Sequence, residues 1–469
     1  MHPYDLHPSM LVKKSPFLVV KQLGMNRARV YSRLHGNLTT FAIDIDAVLK
    51  LFDLPMDRER AINKVSRIYQ VDAAEIIQEL CAQRFLVDAG QHTNSLLAEY
   101  FQKVKTGTEI PKISKVVFLI SEACNMACKG CYHNFYTFKN SRMSSELAGH
   151  ILKGLFPYLK KLGISVLHIA FLGYEPLLNF ETLQMIYDLA ERMGEDNDIK
   201  TRFKIYTNGF QISEHIYDWI WRKRANLGIK VSLDGIRSDN DKRRVDFTGR
   251  GCHDRVFENL RRMLQRDIEC SVLTVLSKSN LSNLEKFVDE MAAIGISRIT
   301  ANLFCGQSKE ERLLELTDLE KIEAIKRMDL ATETYGIAFD GEWKYAVLQM
   351  VNGTQFSCPA GMQQLVFSGD GDIYPCQRFA GTGMHFGNYT IAFWEALLNQ
   401  QCESYNKWHA QLHSGLEEIT AKPMDLTGWG CPFLPFLRGE CLNKNLEKDL
   451  NYYLLDYFIT RPMNRIKKI

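Results

Sequence analysis

From residue 112 onward, short apolar runs alternate with longer amphipathic stretches. The runs Val116–Ile120, Val166–Leu172, Phe203–Thr207, Lys230–Leu233, Glu269–Val275 and Arg298–Leu303 have the length and side-chain content of strands. Between them, Ser145–Leu162, Glu181–Met193, Glu214–Arg224, Asp254–Arg266 and Leu284–Ile294 carry helical spacing. Strand and helix in strict alternation predict an α/β fold with a parallel sheet, and six such units make a partial (βα)6, TIM-like barrel. In such sheets chemistry gathers beyond the C-terminal strand ends, so the loops that follow each run are where functional residues are expected.

The first of those loops contains Cys124-Asn-Met-Ala-Cys128-Lys-Gly-Cys131, three cysteines within eight residues. Thiolates at this spacing can wrap one corner of a cubane iron–sulfur cluster and ligate three of its irons, leaving the fourth open to a small molecule. The same positions also fit i, i+4, i+7 on a helix, although Asn125, Lys129 and Gly130 make a poor helix directly after a strand. A structural zinc ion completed by His133 is the stronger rival, because three Cys and one His form a tetrahedral set. His133 otherwise reads as a surface or packing residue.

Cysteine usage elsewhere bears on this choice. The chain has 469 residues and 12 cysteines. No apolar run reaches membrane-spanning length and the start, MHPYDLHPSM, lacks a signal-peptide core, so a cytoplasmic location without a membrane partner is expected. In that reducing compartment clustered cysteines point to metal ligation rather than disulfides. Cys358, Cys376, Cys431 and Cys441 form a second group, while Cys81, Cys252, Cys270, Cys305 and Cys402 are scattered. A net charge of +3 is too small to imply a nucleic-acid partner.

Ahead of the alternating region, residues 15–90 read as a small α+β module. Strand-like runs at Phe17–Leu23 and Ala28–Ile43 precede helical patterns at Asp44–Phe52, Asp57–Tyr69 and Asp72–Phe85. Residues 91–112 look like a linker. The expected division is therefore 1–90, a linker at 91–112, a barrel at 113–340 and a cysteine-rich segment at 341–469.

The CxxxCxxC loop after a first strand resembles that of the radical S-adenosylmethionine (SAM) superfamily. Three further strand ends strengthen the likeness. Gly173-Tyr174-Glu175-Pro176 is similar to the family's Gly-Gly-Glu-Pro loop, where backbone groups and the Glu hold the amino group of SAM, with Tyr174 departing from the second Gly. Thr207-Asn208-Gly209 resembles a turn lining the SAM cavity. Ser232-Leu-Asp234-Gly235, followed by Asp241-Lys-Arg243-Arg244, resembles a segment in which Ser232 bonds the ribose or carboxylate and Arg243 or Arg244 pairs the carboxylate. Asp234 is the candidate catalytic proton acceptor, with helix capping as its alternative. Many relatives have an aromatic residue before the third cluster cysteine. Here Gly130 stands there, so Tyr132 or another side chain has to cover the adenine.

The other two segments carry resemblances of their own. The module before residue 90 resembles the winged-helix-like, PqqD-like element that captures a leader peptide as an added strand. Cys358, a Gly-Asp-Gly-Asp turn at 369–372 and Cys376, with Cys431 and Cys441 downstream, resemble the SPASM/twitch extension that holds auxiliary clusters. Four such cysteines allow one auxiliary 4Fe–4S cluster, with Cys402 able to replace one of them and a zinc ribbon as the alternative.

The resemblance implies a 4Fe–4S cluster on Cys124, Cys128 and Cys131, reductive cleavage of SAM there to a 5′-deoxyadenosyl radical, and hydrogen-atom removal from a substrate. Flavodoxin or ferredoxin is the implied reductant. The implied substrate is a ribosomally made precursor peptide or small protein bound through its leader, and the product an intrapeptide thioether or carbon–carbon crosslink. A radical SAM epimerase or dehydrogenase, and a non-catalytic zinc-binding scaffold, stand as alternatives. Sulfatase maturation fits less well, since Gln377 follows Cys376 where those relatives have an Asp base.

Overall fold

The computed structural model of the chain describes residues 10–32, 37–92, 95–96, 110–131, 133, 141–306, 308–343, 358–413, 450, 453–454, 457–458 and 460–461. The chain divides into one unit of residues 1–109, 343–358 and 412–469, and a second of residues 110–342 and 359–411.

In the first unit, β1 (Leu11–Lys14) lies between β5 (Met56–Asp57) and β6 (Leu86–Asp88), antiparallel to both. A separate meander is formed by β2 (Leu18–Gly24), β3 (Arg27–Ser32) and β4 (Leu38–Phe41), with β3 in the middle. The helices Ile45–Lys50, Arg58–Ile68 and Ala73–Ala82 start where the sequence places them, because each is opened by an aspartate. Asp44, Asp57 and Asp72 accept hydrogen bonds from the N–H groups of Ala47, Arg60 and Glu75 at 3.2, 2.7 and 3.0 Å. Val12, Val30, Phe41, Leu49, Phe52, Leu80 and Phe85 pack between strands and helices as one core. Leu86 and Val87, just after the last helical pattern, are strand. Arg84, at φ 55, turns the chain out of the helical conformation before them.

The second unit is built on a nine-stranded sheet. Its strands β7 (Lys115–Ser121), β8 (Val166–Gly173), β9 (Lys200–Thr207), β10 (Leu227–Ser232), β11 (Cys270–Leu276), β12 (Arg298–Leu303) and β13 (Ala338–Gly341) are neighbours in chain order and all parallel. The six runs read from the sequence are β7 to β12. β13 has only the short apolar run Ile337 to Phe339 to announce it. It pairs with β12 along its whole length, and Asp340 adds side-chain bonds to that ladder, accepting from Thr300 at 2.6 Å and from Arg298 at 3.0 Å. Two later strands complete the sheet on the other side: β14 (Gln364–Phe367) runs parallel to β7, and β15 (Ile373–Tyr374) pairs antiparallel with β14. This is an α/β fold with a mostly parallel central sheet. No helix among the described residues is long and apolar enough to cross a membrane.

The helix Ser145–Lys161 shows how the segment carrying β14 and β15 is attached. Leu152, Leu155, Phe156 and Leu159 are buried, and Tyr158 packs at 5.0 Å from the ring of Trp394. Gly154 makes room for that indole, for a Cβ there would run into its ring. Gly149, on the same helix, has only Leu189 at 3.9 Å. Alanine in place of a helical glycine gains about 1 kcal/mol, whereas overpacking costs about 1–3 kcal/mol. The two sites should therefore respond with opposite signs in urea denaturation: Gly149→Ala raises the midpoint, and Gly154→Ala lowers it, with a net loss of up to about 2 kcal/mol.

Candidate functional site

The cysteine loop leaves β7 at Ser121 and is fastened by backbone hydrogen bonds on both flanks. Tyr174 and Glu175 donate from the turn after β8 to the carbonyls of Ser121 and Ala123 at 3.0 and 3.1 Å. Ala127 and Lys129 donate to the carbonyls of Val245 and Arg243, beyond β10, at 2.9 and 2.8 Å. Cys124, Cys128 and Cys131 are half-buried, and no described cysteine is in a disulfide. Burial pushes the Cys124 thiol up to about 12, and Glu175, Cys128 and Cys131 add to the rise. Three sulfurs near enough to raise one another's pKa are the donor set an iron–sulfur cluster takes, since a cationic metal centre favours the thiolate form. Among the described residues, no group of three or more His, Cys, Asp or Glu side chains is arranged to hold a metal ion.

The turn after β8 is as constrained as the loop it supports. Gly173 has φ 134, and a Cβ there would strike the carbonyl oxygen of Ser121. Tyr174, next in line, turns its ring onto His133 with centroids 4.6 Å apart and gives its hydroxyl to the His133 carbonyl at 3.2 Å. His133 is buried, and burial draws its pKa down to about 3 against a hydrogen bond to the Gly173 backbone. It packs as a neutral ring.

Glu175 is 1 % exposed, just ahead of the buried Pro176. Its Oε1 accepts from the Thr207 hydroxyl at 2.8 Å and the Leu177 N–H at 3.1 Å, and its Oε2 accepts from the Asn208 N–H at 2.7 Å. Burial raises its pKa to about 7 and these bonds hold it from going higher. The carboxylate thus clamps the β8 turn to the β9 turn. Asn208 carries the clamp onward: its amide donates to Asn125 Oδ1 at 2.8 Å and lies 3.6 Å from Cys124 Sγ.

At the end of β10, Ser232 is half-buried, and just beyond it Asp234 is 2 % exposed. Arg244 grips the Asp234 carboxylate with Nε at 2.8 Å and Nη2 at 3.3 Å, and the Val275 N–H donates at 2.9 Å. Burial favours the neutral acid, but Arg244 and Arg243 outweigh it and hold Asp234 below the ordinary carboxylate range. A carboxylate fixed this way is a poor proton acceptor; the geometry gives it the part of counter-ion instead. Arg243, 9 % exposed, is placed differently, its Nε and Nη1 being buried without a hydrogen-bond partner among the described residues. Sequence could not separate these adjacent arginines. It also missed Asn240 and Asn280, which fix the Asp234 backbone at 3.0 Å each. Polar residues at a strand end were their only signal.

Of the second cysteine group, Cys376 is half-buried at the end of β15 and its Sγ accepts from the Arg378 N–H at 3.5 Å. Cys402 is half-buried beside the Ser404 hydroxyl at 3.6 Å. Cys358 falls in the first unit, whereas Cys376 falls in the second. Cys431, Cys441 and Tyr132 lie outside the described residues.

Residues 118–291 match the Radical SAM superfamily. The sequence is 24% identical over 406 residues to the radical SAM cyclopropyl synthase TigE of Paramaledivibacter caminithermalis, covering 82% of this chain and 81% of that one. Among solved structures, anSMEcpe with bound AdoMet and the Cp18Cys peptide superposes with a TM-score of 0.62 at 18% identity, over 76% of this chain and 99% of that one. SuiB of Streptococcus suis bound to S-adenosylmethionine superposes with a TM-score of 0.56 at 14% identity, over 93% and 99%; it has also been solved with its precursor peptide SuiA.

Glu175→Ala leaves the Thr207 hydroxyl and the N–H groups of Asn208 and Leu177 without their acceptor. At about 1–3 kcal/mol per buried unsatisfied group, a loss of about 3 kcal/mol in unfolding free energy is expected by urea denaturation. Glu175→Gln, which keeps an acceptor oxygen for Thr207 and Leu177, should lose less than half as much.

Proposed function

We propose that this chain, a radical SAM enzyme by its domain at residues 118–291, modifies a ribosomally made peptide or small protein by crosslinking two of its residues. The observation that carries the reading is the suspension of the cysteine loop between two strand-end segments. It puts three sulfurs, a buried carboxylate and a buried guanidinium in one neighbourhood. Cys124, Cys128 and Cys131 would hold the 4Fe–4S cluster. When bound there with SAM, the pair supplies reductive cleavage to a 5′-deoxyadenosyl radical, which takes a hydrogen atom from substrate.

The protein's own residues bind and orient. Glu175 Oε2 accepts one hydrogen bond, from the Asn208 N–H, and has capacity left for the ammonium of SAM. Arg243, whose Nε and Nη1 lack hydrogen bonds among the described residues, pairs the SAM carboxylate, while Arg244 is engaged by Asp234. Ser232, Thr207 and Asn208 line the same strand ends, with Gly173, Tyr174 and Pro176 shaping the turn that supports them. Tyr132 is the proposed cover for the adenine. An auxiliary 4Fe–4S cluster on Cys358, Cys376, Cys431 and Cys441 would accept the electron released when the new bond closes, and a flavodoxin or ferredoxin would reduce the first cluster.

Two features favour a peptide over a small molecule. The meander β2–β3–β4 leaves β2 and β4 each paired on one side only among the described residues, the arrangement by which a PqqD-like, winged-helix-like element adds a leader peptide as a strand. Two of the structural neighbours were solved with peptides, anSMEcpe with Cp18Cys and SuiB with SuiA. Sulfatase-type maturation needs a base after the second auxiliary cysteine. Gln377 stands there, with its amide oxygen taken by Gln364 Nε2 at 3.3 Å.

Purified anaerobically, the wild-type chain should show iron and sulfide and release 5′-deoxyadenosine from SAM under reductant. Cys128→Ala should keep its circular dichroism and release none; continued SAM cleavage in that variant would end the mechanism. Co-expression with a short peptide encoded beside this gene should yield product lighter by two hydrogens in mass spectrometry. An unchanged mass would point to epimerisation instead.

A further inference from the structure

Two consecutive arginines follow β10, and they are held in different ways. Arg244 meets Asp234 edge-on, with two nitrogens bonded to the carboxylate. Arg243 has no such bond, for its Nη1 is 3.7 Å from Asp234 Oδ2, beyond hydrogen-bonding distance. What it has is a ring: its guanidinium carbon lies 4.4 Å from the centroid of Phe304, well within cation–π range. Phe304 is the residue after β12, 7 % exposed, with its N–H bonded to the Leu276 carbonyl at 3.0 Å. Gly130, in the cysteine loop, makes space for that ring. A Cβ at 130 would come within 3.1 Å of two ring carbons, and the residue's φ of 64 suits glycine.

The difference has a chemical consequence. A guanidinium gripped by its edge has its N–H groups occupied. One held by its face on an aromatic ring keeps its in-plane donors available for a bidentate carboxylate. Arg243 fits the second state: its guanidinium carbon lies over the Phe304 ring, and its Nε and Nη1 are buried and unbonded among the described residues.

We propose that Phe304 is a positioning residue for the carboxylate of SAM. It holds Arg243 by its face, leaving the donor edge free, while Arg244 keeps Asp234 occupied so that the carboxylate does not close onto Arg243 instead. The inference rests on Arg243 being the partner of the SAM carboxylate.

The test is equilibrium binding of SAM and of decarboxylated SAM to the anaerobically reconstituted full chain, with iron content and thermal midpoint measured for every variant. Phe304→Leu keeps an apolar side chain but removes the π face. It should bind SAM about tenfold more weakly, bind decarboxylated SAM as the wild type does, and retain its iron. Phe304→Tyr, which restores the face, should restore the affinity. The proposal is overturned if Phe304→Leu binds SAM like the wild type, or if it loses both ligands equally, which marks mere packing. A wild type that binds both ligands alike, or Arg243→Gln leaving the preference for SAM intact, overturns the reading of Arg243 and the proposal with it.

Discussion

The backbone bonds that suspend the cysteine loop are the constraint from which the rest of the site follows. A loop of eight residues with three bulky sulfurs has no secondary structure of its own to fix it. Here it is fixed from both sides, by N–H groups of Tyr174 and Glu175 given to Ser121 and Ala123 just ahead of it and by its own Ala127 and Lys129 N–H groups given to Val245 and Arg243. Each flank is itself braced. The β8 turn is locked by Gly173 and by the Glu175 clamp onto Thr207 and Asn208; the β10 segment is locked by the Asp234–Arg244 pair. Positions that never touch a cofactor thereby set where the sulfurs stand.

Much of this was legible in the sequence, because regular alternation and strand-end chemistry are both local signals. β7 to β12 fall within a few residues of the expected runs, and the aspartates read as helix starts do cap helices. What the sequence could not convey is who meets whom. Arg243 and Arg244 are adjacent and chemically alike, yet Arg244 is bonded to a carboxylate and Arg243 lies over a ring contributed some sixty residues later. Asp234 reads as an available base until its surroundings show two arginines and a backbone N–H around it. β13 escaped notice because its apolar run, Ile337 to Phe339, is only three residues long before Asp340.

Glu175 shows why one residue can serve two purposes without conflict. A buried carboxylate with no bonds would be neutral and useless as an anchor for a cation. Three bonds from Thr207, Asn208 and Leu177 hold its pKa near 7 against burial, and the same bonds join two neighbouring strand ends. Structure and recognition therefore draw on the same atoms, so a change that loosens one loosens the other.

The placement of β14 beside β7 bears on how the chain reaches its folded form. β7 is the first strand of the parallel series, and its outer edge is covered only by a segment made about 250 residues later. During synthesis that apolar edge, Val116 to Ile120, emerges early and waits unpaired, the kind of exposed backbone that recruits strands from other molecules. Contacts this distant in sequence also slow the search for the native state. The strand at the far edge, β13, is only four residues long and offers a correspondingly short template. The risk of aggregation is thus concentrated on one side of the sheet and confined to the interval before residues 364–367 arrive.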